Sequence, residues 1–176
     1  MIRFLAGASL ALLSADCLAV DSTFHIPDSG VSVTYSHAMA PSEFSGDAKA
    51  SSFLYLATIH EKGDDKQWTR VGILAVATPG ASAEDCKRTQ FDGDFESDAK
   101  VDRSSIATRI LPDRIQVDYL QTGELNGAPV KSTHSAAIIY REGYCVMAYL
   151  ARFPNRDEDR AVMDRIAASI RVTKSE

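Results

Sequence analysis

The chain has little of what marks fibrous, disordered and nucleic-acid-binding proteins. Its 176 residues include 10 glycines and 6 prolines, too few for a collagen-like chain, a flexible linker protein or a disordered tail. Basic residues are in the minority, because 24 Asp and Glu against 19 Lys and Arg give a net charge of -5. An acidic chain without a basic cluster repels a phosphate backbone, so nucleic acid is not expected as a partner. One globular domain is the expected class.

Long apolar runs are scarce, and the one at the start of the chain is short. Residues 4–13 form an apolar run of about ten residues after a basic start, and the segment closes on small residues up to Ala19. A membrane-spanning helix needs roughly 20 apolar residues. Residues 1–19 are therefore interpreted as a secretory signal peptide cleaved after Ala19, which leaves residues 20–176 as a single periplasmic or secreted domain.

Cleavage before Cys17 is the alternative that we considered. It would leave this thiol for lipid attachment and bring the protein to a membrane surface. Asp16 stands against it, because the bacterial lipid-attachment motif has a small residue at that position. A membrane is expected as a partner only if Cys17 is lipidated.

Cysteine is scarce, and after cleavage only Cys86 and Cys145 remain. Two cysteines in an oxidising compartment predict one disulfide between them. Closing a loop of about 60 residues would contribute roughly 4 kcal/mol by chain entropy. Two buried, inert thiols are the alternative. A zinc site is not expected, because two isolated cysteines lack the paired spacing that such sites use.

Alternating apolar residues and β-branched side chains predict strands in both halves of the chain. The predicted strands span residues 22–26, 31–35, 52–60, 68–78, 106–111, 114–120, 130–140 and 144–152. Residues 144–151 are apolar at nearly every position, so this strand is expected to be central and covered on both faces.

Two segments predict helices. Ser82 lies three residues before Asp85 and is typical of an N-cap, so a helix is expected through about Phe91. Asn155 and the acidic residues after it open a second helix, with an apolar stripe at helical spacing up to Ile170. The predicted fold class is α+β, a mostly antiparallel β-sheet flanked by helices.

The C-terminal half resembles a known superfamily. Four segments carry the resemblance: a turn at residues 123–129, a strand opening with Gly143-Tyr144-Cys145-Val146-Met147, the segment 153–155 and a helix closing at residues 166–172. Their order is similar to that in the Mog/PsbP-like superfamily, which includes DcrB-like secreted proteins of bacterial envelopes. The resemblance implies an α/β/α sandwich and a binding or accessory role without a catalytic centre. It carries over no functional residue.

Sequence motifs for catalysis or metal binding are absent. The four histidines, His25, His37, His60 and His134, are scattered, and no HExxH pair would place two imidazoles on one helical face. No Gly-x-Ser-x-Gly elbow presents a nucleophile. A Ser/His/Asp triad assembled from distant positions stays open as a minority hypothesis. We expect no enzyme activity, no metal and no cofactor.

Two further clusters have competing interpretations. Asp92, Asp94, Glu96 and Asp98 alternate around Gly93, which is compatible with a calcium loop, but the EF-hand spacing is absent and a solvated polar loop is favoured. Phe53, Tyr55 and Trp68 would form an aromatic binding patch if they faced outward, with core packing as the default.

These features predict an exported, non-catalytic binding or accessory protein of the bacterial cell envelope. It would contact another envelope or periplasmic protein through a sheet face or the long loops at residues 38–50 and 92–105. The candidate contact residues are Trp68, Asp92, Asp94, Phe95 and Glu96. A periplasmic immunity or inhibitor protein that neutralises a toxin or hydrolase, and a small hydrolase or ligand-binding protein, are the alternatives.

Overall fold

The computed structural model describes residues 20–26, 29–37, 43–49, 52–61, 64–125 and 127–174. Within these ranges the strands are β1 (Val20–Ile26), β2 (Val31–His37), β3 (Glu43–Lys49), β4 (Ser52–Glu61), β5 (Asp64–Ala77), β6 (Val101–Leu111), β7 (Arg114–Leu125), β8 (Ala128–Arg141), β9 (Tyr144–Phe153) and β10 (Arg171–Lys174). The helices are α1 (Ala83–Lys87), α2 (Gly93–Ser97) and α3 (Asp159–Ser169), and a π-helical turn (Arg88–Asp92) joins α1 to α2. Mostly β-structure with short helices confirms the predicted α+β class.

The strands form two sheets. Seven strands pair in the order β3-β4-β5-β9-β8-β7-β6, and β1, β2 and β10 form a second, three-stranded sheet. All pairings are antiparallel. The prediction of a central strand at residues 144–151 is confirmed, since β9 lies between β5 and β8. β1 and β2, by contrast, lie outside the main sheet, and β2 pairs with β1 on one side and with β10 on the other.

Alternation along the strands separates two hydrophobic clusters, one on each face of the seven-stranded sheet. On the first face, which we call the helix face, fully buried residues of β5 and β9 such as Ile73 and Ala148 pack with Met163 of α3 and with Val33 of the three-stranded sheet. On the second, the groove face, Met147 and its neighbours pack with residues 83–97, which we call the helical segment.

The helix face is also tied together by buried polar groups. Arg152 of β9 donates from Nε to Asp159 of α3 at 2.7 Å and from Nη1 to Thr69 of β5 at 2.8 Å, and all three side chains are buried. A second carboxylate, Asp118 of β7, pairs with Arg109 at 2.9 Å and with Arg160 of α3. These contacts fix the first turn of α3 to the sheet.

The predicted disulfide is confirmed. Cys86 and Cys145 are joined with their Cα atoms 5.5 Å apart, and both are completely buried. The predicted N-cap is confirmed as well, because Ser82 Oγ accepts from the amide of Asp85 at 3.1 Å and the Asp85 carboxylate accepts from the Ser82 amide at 3.0 Å. The helical segment is therefore fixed to the central strand of the sheet.

The two loops predicted to be long differ from the structure. The loop at residues 38–50 contains β3, which pairs with β4 along its whole length, whereas residues 38–42 and 50 lie outside the described ranges. The predicted loop at residues 92–105 is mostly regular, because helix continues to Ser97 and β6 begins at Val101. Polar composition predicted a loop in both places. Pairing with a neighbouring strand overrode it at residues 43–49 and from Val101 onward, and residues 93–97 are helical instead. No helix in the described ranges is long and apolar enough to cross a membrane.

Candidate functional site

An open groove lies on the part of the groove face that the helical segment leaves uncovered. Its volume is about 360 Å³. We call it the aromatic groove, because most of its large lining side chains are aromatic. The lining residues are Trp68, Arg70 and Gly72 of β5, Tyr119 and Gln121 of β7, Ser132 and His134 of β8, and Tyr149, Leu150, Ala151 and Phe153 of β9.

Small residues in the middle of the sheet make this surface concave. Ala151 of β9 lies directly across from Arg70 on one side and from His134 on the other. Gly72 of β5 lies across from Tyr149. A methyl group and a hydrogen atom therefore form the floor, and larger side chains at the surrounding register positions rise around it.

Pairs of stacked rings form the sides of the groove. Trp68 and Phe153, which are register partners, stack with ring centroids 5.3 Å apart. Tyr119 and His134, also register partners, stack at 5.1 Å. Such cross-strand aromatic pairs stabilise a sheet and hold each other's orientation. The walls of the groove are therefore pre-formed.

The helical segment closes one end of the groove with two phenylalanines. Phe91 is buried and its ring centroid lies 6.2 Å from that of Tyr149, and the ring centroids of Phe95 and Tyr119 lie 4.8 Å apart in a T-shaped arrangement. The two phenylalanines stack on each other at 4.6 Å. Because Cys86 fixes this segment to β9, the disulfide also determines where the groove ends.

The polar groups of the groove have different charge states. Burial lowers the pKa of His134 to about 4 against an opposing effect of Asp98, so the imidazole is neutral at pH 7. Its Nε2 lies 2.7 Å from the Ser132 hydroxyl. Burial also raises the pKa of Tyr119, so this phenol keeps its proton. Arg70 is exposed, and its guanidinium lies 5.1 Å from the centre of the Trp68 ring.

The groove can provide an apolar, aromatic floor with hydroxyl, amide and imidazole groups at its sides. The Ser132 and His134 pair is within the distance that nucleophilic catalysis requires. However, a base with a pKa of about 4 accepts a proton poorly at pH 7, and within the described ranges no carboxylate is hydrogen-bonded to His134.

A second cavity, of about 540 Å³, lies at the other end of the sheet beside the β6–β7 turn. Its buried arginine, Arg114, donates to the carbonyl oxygens of Ala167 and Ile170 and pairs with Asp113 at 2.6 Å. These bonds cap the C-terminal end of α3. Arg114, the buried cation of this cavity, therefore serves the fold.

The structure brings two of the five candidate contact residues to the groove. Trp68 lines it, and Phe95 packs against its wall. Asp92 points elsewhere and pairs with Lys87 at 2.6 Å. Asp94 and Glu96 lie on α2, and their side chains are outside the part that the structure describes. Alternating residues lie on one side only where the backbone is extended, and that was the basis of the prediction. The backbone of residues 92–97 is helical, so the alternation does not place these acids on one side.

The other residues singled out in the sequence are dispersed. His25 and His37 lie on the three-stranded sheet, where each contacts a serine of the neighbouring strand. The side chains of His60, Phe53 and Tyr55 are outside the described part. Among the described residues, no group of three His, Cys, Asp or Glu side chains could hold a metal ion.

Sequence reasoning missed Tyr119, Tyr149 and Phe153 as site residues, and it treated His134 as an isolated histidine. Each lies on a correctly predicted strand or at its end. The signal available in the sequence was the alternation of side chains between the two faces of a strand. Positions 149, 151 and 153 share one face of β9 because side chains alternate along a strand. The sequence alone did not show which strands are neighbours, so these positions could not be combined.

Comparisons with known proteins identify no relative by sequence. No protein family and no curated protein matches the chain. Among solved structures, the chain is similar to LpqN of Mycobacterium tuberculosis, described as involved in cell envelope biogenesis, with 14% identity and a TM-score of 0.47 over 88% of this chain and 91% of that one. It is also similar to a protein of Bacteroides thetaiotaomicron VPI-5482, with 10% identity and a TM-score of 0.46 over 81% of this chain and 45% of that one. At these values neither likeness assigns a function.

Proposed function

We propose that this chain is an exported, non-catalytic binding protein of a bacterial cell envelope that contacts another protein through the aromatic groove. The observation that carries the proposal is the groove itself, an open concavity on the groove face with stacked rings at its sides. Half-buried Trp and Tyr side chains around a pocket are the usual anchors of protein interfaces.

The location in the envelope rests on two features of the chain. Residues 1–19 have the composition of a secretory signal peptide, and the Cys86–Cys145 disulfide suits an oxidising compartment. Membership of the Mog/PsbP-like superfamily, with its α/β/α sandwich, belongs to the same proposal. An immunity or inhibitor role would be a special case in which the bound protein is a toxin or a hydrolase.

The proposal is tested by filling the groove. Ala151→Phe places a ring where the floor is lowest, so the partner should be lost from affinity capture out of an envelope extract. Ala161→Phe is the matched control, because the same substitution then lies on an exposed position of α3. Equal capture by the wild type and both variants, all with the same circular dichroism spectrum, would contradict binding through the groove.

A small hydrolase is the contrasting candidate, and the 2.7 Å contact between Ser132 and His134 is the observation in its favour. A chromogenic ester series decides between the two. We expect no hydrolysis above that of Ser132→Ala. Turnover that Ser132→Ala abolishes in a folded protein would replace the binding role with catalysis.

A further inference from the structure

We infer that the aromatic groove takes a segment of the partner protein in which an apolar side chain stands next to an acidic group, with the acid paired to Arg70. The inference rests on the proposed function and adds the chemistry of the bound segment. It depends on the charge, the position and the neighbours of one arginine.

Among the residues that the structure describes, Arg70 is the only charged one that lines the groove. Other arginines on the same sheet have carboxylate partners, with Arg152 at 2.7 Å from Asp159 and Arg109 at 2.9 Å from Asp118. Within the described ranges Arg70 has no carboxylate at ion-pair distance, and its guanidinium lies 5.1 Å from the centre of the Trp68 ring. In a chain with a net charge of -5, this cation is available to an anion that arrives from outside.

The position of Arg70 relative to the floor determines how the ligand's two groups are arranged. Arg70 and Ala151 are register partners on adjacent strands, and directly opposed side chains have Cβ atoms roughly 5 Å apart. An apolar side chain resting on Ala151 therefore leaves a neighbouring carboxylate within reach of the guanidinium. The Trp68 ring holds the guanidinium in place, which reduces the entropy lost when the fork binds a carboxylate.

The far side of the groove disfavours a second anion. Gln121 donates its side-chain amide to the Asp98 carboxylate, which fixes a negative charge next to the Tyr119 and His134 side. An acidic group on the ligand is repelled there and attracted at Arg70. Arg103, whose guanidinium lies 5.5 Å from the centre of the Phe95 ring, offsets part of the Asp98 charge, so the preference for an anion rests on Arg70 itself.

Tryptophan fluorescence gives a direct test, because Trp68 is the only tryptophan in the chain. Two peptides are titrated, acetyl-Gly-Phe-Glu-Gly-amide and its counterpart with Gln in place of Glu, and neither emits when Trp is excited selectively. We expect both to change the Trp68 emission, with the Glu peptide binding about three-fold more tightly, as for a partly exposed ion pair. High salt should remove this preference.

Variants of the protein test whether the Arg70 guanidinium causes the preference for the Glu peptide. Arg70→Gln should bind both peptides equally, and Arg165→Gln, a matched control at an exposed position of α3, should keep the preference. Ala151→Phe should abolish the response to both. If the two peptides bind the wild type equally, the acidic part of the inference is wrong, and the groove's role in capture still stands. If neither changes the emission, or if Ala151→Phe still responds, the inference is overturned as a whole.

Discussion

The same strands form both faces of the seven-stranded sheet, but the two faces are covered to different extents. On the helix face, α3 and the three-stranded sheet cover β5 and β9 so fully that Val71, Ile73 and Ala148 have no exposed surface. On the groove face, the helical segment covers only part of the same strands, and the rest carries half-buried rings around an open floor.

The comparison separates what holds the fold from what is available for binding. Closing one face completely provides the apolar burial that a domain of this size needs. The other face can then remain partly open without loss of the fold. The two covers are also attached differently, by a buried ion pair to α3 and by a disulfide to the helical segment.

Removing the disulfide should have the largest effect. The double variant Cys86→Ala/Cys145→Ala loses a cross-link that spans 59 residues, so the free energy of unfolding should fall by about 4 kcal/mol. Chemical denaturation measures the change, and thiol titration under denaturing conditions first verifies that the wild type has no free thiol.

Hydrogen exchange then shows whether the two covers are separate. Amides of residues 83–97 should lose more protection in the double variant than amides of α3, because only the helical segment was tied by the disulfide. An equal loss in both would mean that the two faces unfold as one unit.

Breaking the ion pair of the helix face should have the next largest effect. Asp159→Ala removes the carboxylate that lies 2.7 Å from the buried Arg152 guanidinium, which should lower the free energy of unfolding by about 3 kcal/mol. Asp157→Ala, two residues earlier and exposed, is the control and should change it by less than about 0.5 kcal/mol. A small effect of Asp159→Ala in the same denaturant titration would contradict the role given to this pair.

Lowering the pH should lower the free energy of unfolding through the protonation of His134 on the groove face. Its folded pKa is about 4 against an ordinary value of 6.5, so the unfolded chain binds the proton more readily. The free energy of unfolding should therefore fall as the pH decreases from about 6.5 to about 4, by about 2 kcal/mol after allowance for partial exposure.

The variant His134→Gln isolates this contribution. It should flatten the pH dependence in that window but leave a residual slope from His37, whose pKa burial also lowers against an opposing effect of Asp21. The same acid sensitivity in His134→Gln and the wild type would show that the groove histidine is not the group that titrates.

The sequence predicted those parts of the fold that depend on local pattern. The N-cap at Ser82, the central strand at residues 144–151 and the Cys86–Cys145 disulfide all follow from residue type, spacing and compartment, and all are present. β3 was missed because residues 43–49 are mostly polar or small, and pairing with β4 makes them a strand.

The groove depended on information that a single sequence does not contain. Trp68 was named, but its importance comes from Phe153 and Ala151 on β9 and from Tyr119 on β7, which lie far away along the chain. Strand order and register bring them together. Alternation predicts which residues of one strand share a face but not which strand is its neighbour.

The smallest effect on stability is expected when the groove itself is filled, and two alanines of β9 make the comparison sharp. Ala148→Phe puts a ring into the closed helix face, where the alanine has no exposed surface, and overpacking should cost about 2 kcal/mol. Ala151→Phe puts the same ring into the open groove, three residues further along the strand, so the free energy of unfolding should change by less than about 1 kcal/mol. The added ring should also shield Trp68, which acrylamide quenching measures in the same samples. Equal destabilisation by the two variants would mean that the groove floor is part of the core, and the distinction between a closed and an open face would then be wrong.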